Sequence, residues 1–180
     1  HILGELPDAN KLTDTLVALL RLPRGEDATG QGVLHSLALD LALDCDDPMA
    51  LDHQVWLGAK PKALAELNDS VWRTGADTRE RLELLAQQLV ARHVVGDEGV
   101  DALRADYPQT CQLLAYAKQT LRVALDQSAE LEIQALTDGL NGQFVPPGPS
   151  GAPTRGRLDT LPTGRNFFSI DNRSIPSPAA

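Results

Sequence analysis

Several kinds of protein are excluded by what this sequence has little of. Its 180 residues include only two cysteines, Cys45 and Cys111, far apart and outside any Cys-x-x-Cys spacing, so no disulfide framework is expected and the reading is of buried thiols in a reducing compartment. Aromatic residues make up 4% of the chain, and few stretches alternate with period two, so no strand is expected. No apolar run approaches the roughly 20 residues needed to cross a bilayer. No basic segment followed by an apolar stretch opens the chain, which begins at His1 rather than Met. Positive charge is scarce, with 16 lysines and arginines against 25 acids and a net charge of −9. An acidic body is a poor partner for phosphate backbones or anionic lipid, so neither nucleic acid nor membrane is expected as a ligand. A soluble, cytoplasmic chain with enough length for one core is the expectation.

Catalytic motifs are also sparse. Gly25 and Gly30 have the spacing of a phosphate loop, but Gln31-Gly32 stand where Lys and Ser/Thr are required, so nucleotide binding is not expected here. Asp40, Asp44, Cys45, Asp46, Asp47 and His53 are the densest set of possible metal ligands. One imidazole, one thiol and a surplus of carboxylates make a poor cobalt or zinc donor set, and a solvated acidic helix end is the reading. His35 and His93 occur singly, and no Ser/His/Asp or Cys/His arrangement supports nucleophilic catalysis.

What the chain does have is leucine at helical spacing. Asp8 or Asn10 is expected to cap a first helix through Leu12, Leu16, Leu19 and Leu20, ending before Pro23. A second is expected over about 32–43, and a short one from Asp47-Pro48 to about Leu57. Another should start at Pro61, with Trp72 as a core anchor. Asp77 with Glu80 reads as a capping box for a helix through Leu82, Leu85, Leu89 and His93 up to Gly96. After a weak segment at Leu103, Pro108 should open a long helix through Leu114, Leu121 and Leu125. Ser128 is expected to cap a last one that Gly139 ends in the left-handed conformation. The fold class is mainly α, a helical bundle over 1–139 followed by a strap over 140–180.

Seven of the 12 prolines lie beyond Gly139, so neither helix nor central strand can run through that region. Its apolar residues, among them Phe144, Val145, Leu158, Leu161, Phe167, Phe168 and Ile170, argue for an ordered strap rather than plain disorder. Packing along the bundle is expected through Phe144, Val145, Leu161 and Phe167. The strap carries four arginines against two aspartates, leaving eleven net negative charges on the first 138 residues.

The runs Val145-Pro-Pro-Gly-Pro149, Ala152-Pro-Thr-Arg-Gly-Arg157 and Leu161-Pro-Thr-Gly-Arg-Asn166, with HILGELP at the start, resemble the large subunits of cobaltochelatases and magnesium chelatases. The 152–157 run leans toward the cobalt branch. Leu158, where proline is commoner, and Phe168, where Tyr or His is usual, depart from the pattern. Those subunits are several times longer, so the resemblance implies an internal piece of one. It implies a complete enzyme that inserts Co²⁺ into hydrogenobyrinic acid a,c-diamide, driven by ATP hydrolysis on separate partner subunits, with no cofactor bound to this piece and no activity in it alone. The other partners implied are the corrin or tetrapyrrole substrate and the remainder of the large subunit.

On this reading Arg155, Arg157 and Arg165 are candidates to fork onto the carboxylates that fringe a corrin, with Gly164 allowing close approach and Asn166 adding an amide. The alternative is that the arginines clamp the strap to acidic protein surface. His1 is a weak candidate to ligate incoming metal or accept a pyrrole proton. Two other readings stay open: a magnesium chelatase relative, and a non-enzymatic helical module whose Val145–Pro149 run is a polyproline ligand.

Overall fold

The computed structural model describes residues 8–21, 31–149, 151, 153 and 157–165. Helix α1, Ala9–Leu20, begins where the Asp8 carboxylate accepts the Lys11 N–H at 2.8 Å, and it buries Leu16, Leu19 and Leu20. Helix α2, Val33–Asp40, lies so close to the end of α1 that a Cβ at Gly32 would run into the Arg21 carbonyl. It stops three residues before the expected Leu43. Ala42 turns left-handed (φ 49°), the Ala42 N–H reaches the Leu39 carbonyl and the Leu43 N–H reaches that of Ala38. That is a Schellman closure, with buried Leu43 supplying the apolar contact in place of another turn of helix.

The short helix expected from Pro48 to Leu57 does not form. The Asp47 and Asp52 carboxylates accept the N–H groups of Met49 and Gln54, local bonds that compete with helix. Residues 54–56 instead pair with 73–75 through an isolated antiparallel bridge, Val55 with Thr74, and the bonds Trp56 N–H to Arg73 O and Gly75 N–H to Gln54 O. Pro61 caps α3, Lys62–Ala65. Trp72 is a core anchor, its indole N–H donating to the Thr78 hydroxyl at 2.7 Å.

Helix α4, Gly75–Leu89, starts three residues earlier than expected: the capping box is Thr74 with Asp77, and the Asp77 carboxylate accepts the Thr74 N–H at 2.7 Å. It continues into a π-helical turn, Val90–Val95, that ends at Gly96. A 3₁₀ turn, Val100–Leu103, leads to α5, Pro108–Tyr116, which passes through a second π turn, Ala117–Leu121, into α6, Arg122–Leu140. The two π turns pack together, and the Arg122 guanidinium crosses between them to the carbonyls of Val94 and Val95, both at 2.7 Å. The run from Pro108 to Leu140 is therefore continuous. Ser128 is not a cap; its hydroxyl bonds back to the Ala124 carbonyl inside the helix. Nor does Gly139 close the helix. Gly142 does, with φ +73° and the Gln143 N–H returning to Asp138 O.

Beyond Asn141 the strap includes a 3₁₀ turn, Leu158–Thr160. Leu158 and Leu161 pack onto the core of the bundle. Val145 is half-buried, but Phe144 is 83% exposed and does not join the packing. Phe167 lies outside the described residues.

Candidate functional site

The strap is held on α6 through Thr163. The Ser128 hydroxyl accepts the Thr163 N–H at 3.0 Å, and the Thr163 hydroxyl donates to the Glu132 carboxylate. Gly164 follows at φ +99°, a conformation that disfavours side chains. A Cβ there would sit 2.7 Å from the Glu132 nitrogen and the Leu131 carbonyl carbon. The close approach that Gly164 permits is thus to the helix backbone.

The arginine stems are laid on the proline-glycine run. A Cβ at Gly148 would lie 2.9 Å from both Cβ and Cδ of Arg165, and one at Gly151 would lie 3.1 Å from Cβ and Cγ of Arg157. The Arg157 guanidinium forks onto the Asp159 carboxylate at 2.9 and 2.8 Å, and that hydrogen bond holds the Asp159 pKa below its ordinary value. Arg157 is thereby already engaged by a carboxylate of its own strap. Arg165 is exposed, and among the described residues no carboxylate pairs with it. Arg155, Asn166 and His1 lie outside the described residues.

Neither Asp159 nor Glu132 was singled out from the sequence, and Ser128 was expected only as a helix cap. Asp159, two residues from Arg157, was findable from its sign and spacing. Ser128 and Glu132 carry no local signal, because their partner is Thr163, 35 and 31 residues away.

The acidic set around residue 45 does not converge. Asp40 is spent as a cap for α5, its two oxygens accepting the N–H groups of Gln109 and Thr110 at 2.9 and 2.8 Å. Among the described residues no group of three His, Cys, Asp or Glu side chains could hold a metal ion. Cys45 and Cys111 are unpaired thiols. Cys111 is buried as expected; Cys45 is only half-buried, and burial, followed by Asp44, Asp46 and Asp47, raises its pKa, which makes it a weak nucleophile. His93 is buried, with Nδ1 3.1 Å from the Gly99 carbonyl, a structural placement. A cleft of about 210 Å³ between α1, α2 and α4, lined by Val17, Arg21 and Glu83 among others, is smaller than the ~300 Å³ at which small-molecule sites begin. No helix among the described residues is long and apolar enough to cross a membrane.

The aerobic cobaltochelatase subunit CobN of Pseudomonas aeruginosa is 47% identical over 182 residues, covering all of this chain and 14% of that protein. The subunit of the same name from a Sinorhizobium species is 41% identical over 199 residues, again across the whole chain and 15% of the relative. The chloroplastic magnesium-chelatase subunit ChlH of Oryza sativa subsp. indica is 26% identical over 194 residues. This chain therefore spans about one seventh of the length of the relatives it matches. No solved structure matches. A family model described as CobN/Magnesium Chelatase matches residues 1–180, and the chain belongs to that family.

Proposed function

We propose that the chain is a segment of the large, tetrapyrrole-binding subunit of an ATP-dependent cobaltochelatase, the enzyme that inserts Co²⁺ into hydrogenobyrinic acid a,c-diamide in cobalamin biosynthesis. The observation that carries this is the gradient of identity across the whole chain, 47% to a cobaltochelatase subunit against 26% to a magnesium-chelatase subunit. Cobalt and corrin are substrates of the complete enzyme. ATP belongs to partner subunits, in keeping with the missing lysine after Gly30. Within this segment residues 1–139 form the helical region and 140–180 the strap, and the chemistry of metal insertion lies in the rest of the subunit.

The role assigned to the strap is to present Arg165 to a carboxylate of the corrin rim. Two features support it: the guanidinium is exposed with no carboxylate partner among the described residues, and Gly148 and Gly164 hold its backbone and stem in place from two sides. Arg157 is a weaker candidate, since a corrin carboxylate would have to displace Asp159. Arg155 and Asn166, beside these two, stay candidates by their place in the sequence. The polyproline-ligand reading is disfavoured, because the face of the run at Gly148 is already covered by Arg165.

Arg165→Lys in the full-length subunit tests the role. The charge remains but the fork is lost, so tetrapyrrole affinity should fall by about 1–3 kcal/mol while the melting temperature holds. Fluorescence-quenching titration beside a thermal melt reads both. Unchanged affinity with a lowered melting temperature would mean that Arg165 only pins the strap.

A further inference from the structure

Helix α6 is 19 residues long, yet among its described side chains only Ala135 is buried. Ile133, Leu136 and Leu140 are 56%, 52% and 81% exposed. With Ala129 before them they recur at spacings of four, three and four, while Leu125, one turn earlier, packs against the bundle core. At ~100° per residue this gathers them into one stripe, the seam pattern by which two helices pack side by side. The described part of the strap crosses the neighbouring face, at Ser128 and Leu131, and leaves the stripe open.

The stripe's borders are acidic. Asp126 and Glu130 flank one side and Glu132 the other. Asp126 lies 3.8 Å from Arg122, whereas Glu130 has no basic partner among the described residues. We infer that this face is the docking site of an amphipathic helix with basic residues beside its apolar stripe, supplied by the part of the longer polypeptide outside these 180 residues; the inference rests on the chain's being a segment of a large subunit.

Two observations select that occupant. A second copy would set acidic border against acidic border on molecules that each carry −9, a repulsive pairing. The seam, from Ala129 to Leu140, is also less than about two heptads long, short of the three to four that mark a self-sufficient coiled coil. A covalently connected helix meets it at an effective concentration in the millimolar range, which a short seam needs. The relatives supply the length for such a helix, since the match covers only 14–15% of them.

The test is hydrogen exchange by mass spectrometry on the full-length subunit and on its Ile133→Asp/Leu136→Asp variant. Both side chains are exposed in the bundle, so the substitutions do not disturb its core; Leu57→Asp, at a position 91% exposed and off this face, is the control. In the double variant residues 129–140 should exchange at least ten-fold faster than in the unaltered subunit. One segment outside the 180 residues should accelerate with them. Glu130→Lys should accelerate the same segment about three-fold, because the basic flank then meets like charge. The inference is overturned if no outside segment responds to the double substitution. It is equally overturned if protection of 129–140 disappears on dilution, which identifies a second copy. A source protein no longer than this chain would remove the large-subunit reading itself, an outcome that mass measurement distinguishes from both.

Discussion

Arg81 is 2% exposed and makes no ion pair among the described residues. Its charge is spread over carbonyl oxygens: Nη1 donates to Leu64 and Asn68 at 3.3 and 3.1 Å, and Nη2 to Ser70 at 2.6 Å, while the guanidinium lies 5.0 Å from the centre of the Trp72 ring. One side chain thus fastens the excursion through α3 and Trp72 to α4. Arg81→Met would strand the buried Leu64 carbonyl and take the donor from the partly buried carbonyls of Asn68 and Ser70, and the expected loss is about 3 kcal/mol, read from a denaturant midpoint. Arg81→Lys should lose nearly as much, because one ammonium cannot reproduce the planar fork; a lysine variant as stable as the parent would show that charge alone suffices. Glycine offers a second contrast at this scale. Gly164→Ala forces a Cβ into the α6 backbone at a positive φ, and should release residues 157–165 from the helix and speed their amide exchange. Gly139→Ala, inside α6 with nothing within 4 Å of its Cβ, should stabilise by about 0.5–1 kcal/mol.

Among the elements, α4 depends on its first turn. Thr74 accepts the Asp77 N–H while Asp77 accepts from Arg73 and Thr74, and these backbone bonds hold the Asp77 pKa below the ordinary carboxylate value. Thr74→Ala should cost about 1 kcal/mol in a thermal or denaturant melt. The acid dependence has a definite sign. A carboxyl whose folded pKa is depressed contributes its stability above the unfolded pKa, and loses it as pH falls through the folded value. Stability should therefore decline on acidification through the carboxylate range, less steeply in Asp77→Asn than in the parent. Equal slopes for the two proteins would show that the box does not set the acid response. The expected box at Asp77-Glu80 missed this by three residues, because Thr74 looks like a loop residue until the bridge to Val55 places it at the helix start.

For the whole molecule the segment reading makes a negative prediction. The isolated 180 residues should insert no cobalt into a corrin, with or without ATPase partner subunits, in a spectroscopic metallation assay; turnover by this chain alone would move the chemistry into it. The same scale explains why the strap takes its place. Leu158 and Leu161 bury against the bundle, Thr163 bonds to Ser128 and Glu132, and Gly164 lies on the helix between them. The Thr163 and Gly164 contacts are each made with α6 across about thirty residues of sequence or more.

The amino-acid sequence alone determined that the chain is helical, where several helices begin, and to which family it is similar. These are local matters: Asp8 caps the residues beside it, Pro61 and Pro108 stand at helix starts because their missing N–H is not needed there, and prolines beyond Gly139 forbid helix wherever they fall. Tertiary structure decided the rest. It took Asp40 out of an apparent metal-ligand cluster and made it the cap of a helix some 70 residues away. It drew residues 54–56 out of an expected helix into pairing with 73–75, and ran one helix straight through Ser128. It also left Phe144 in solvent while burying Leu161. The physical reason is common to all four. A local pattern fixes only what neighbours in sequence can satisfy, whereas a carboxylate, a backbone donor or an apolar ring takes whichever partner the packed core brings within reach.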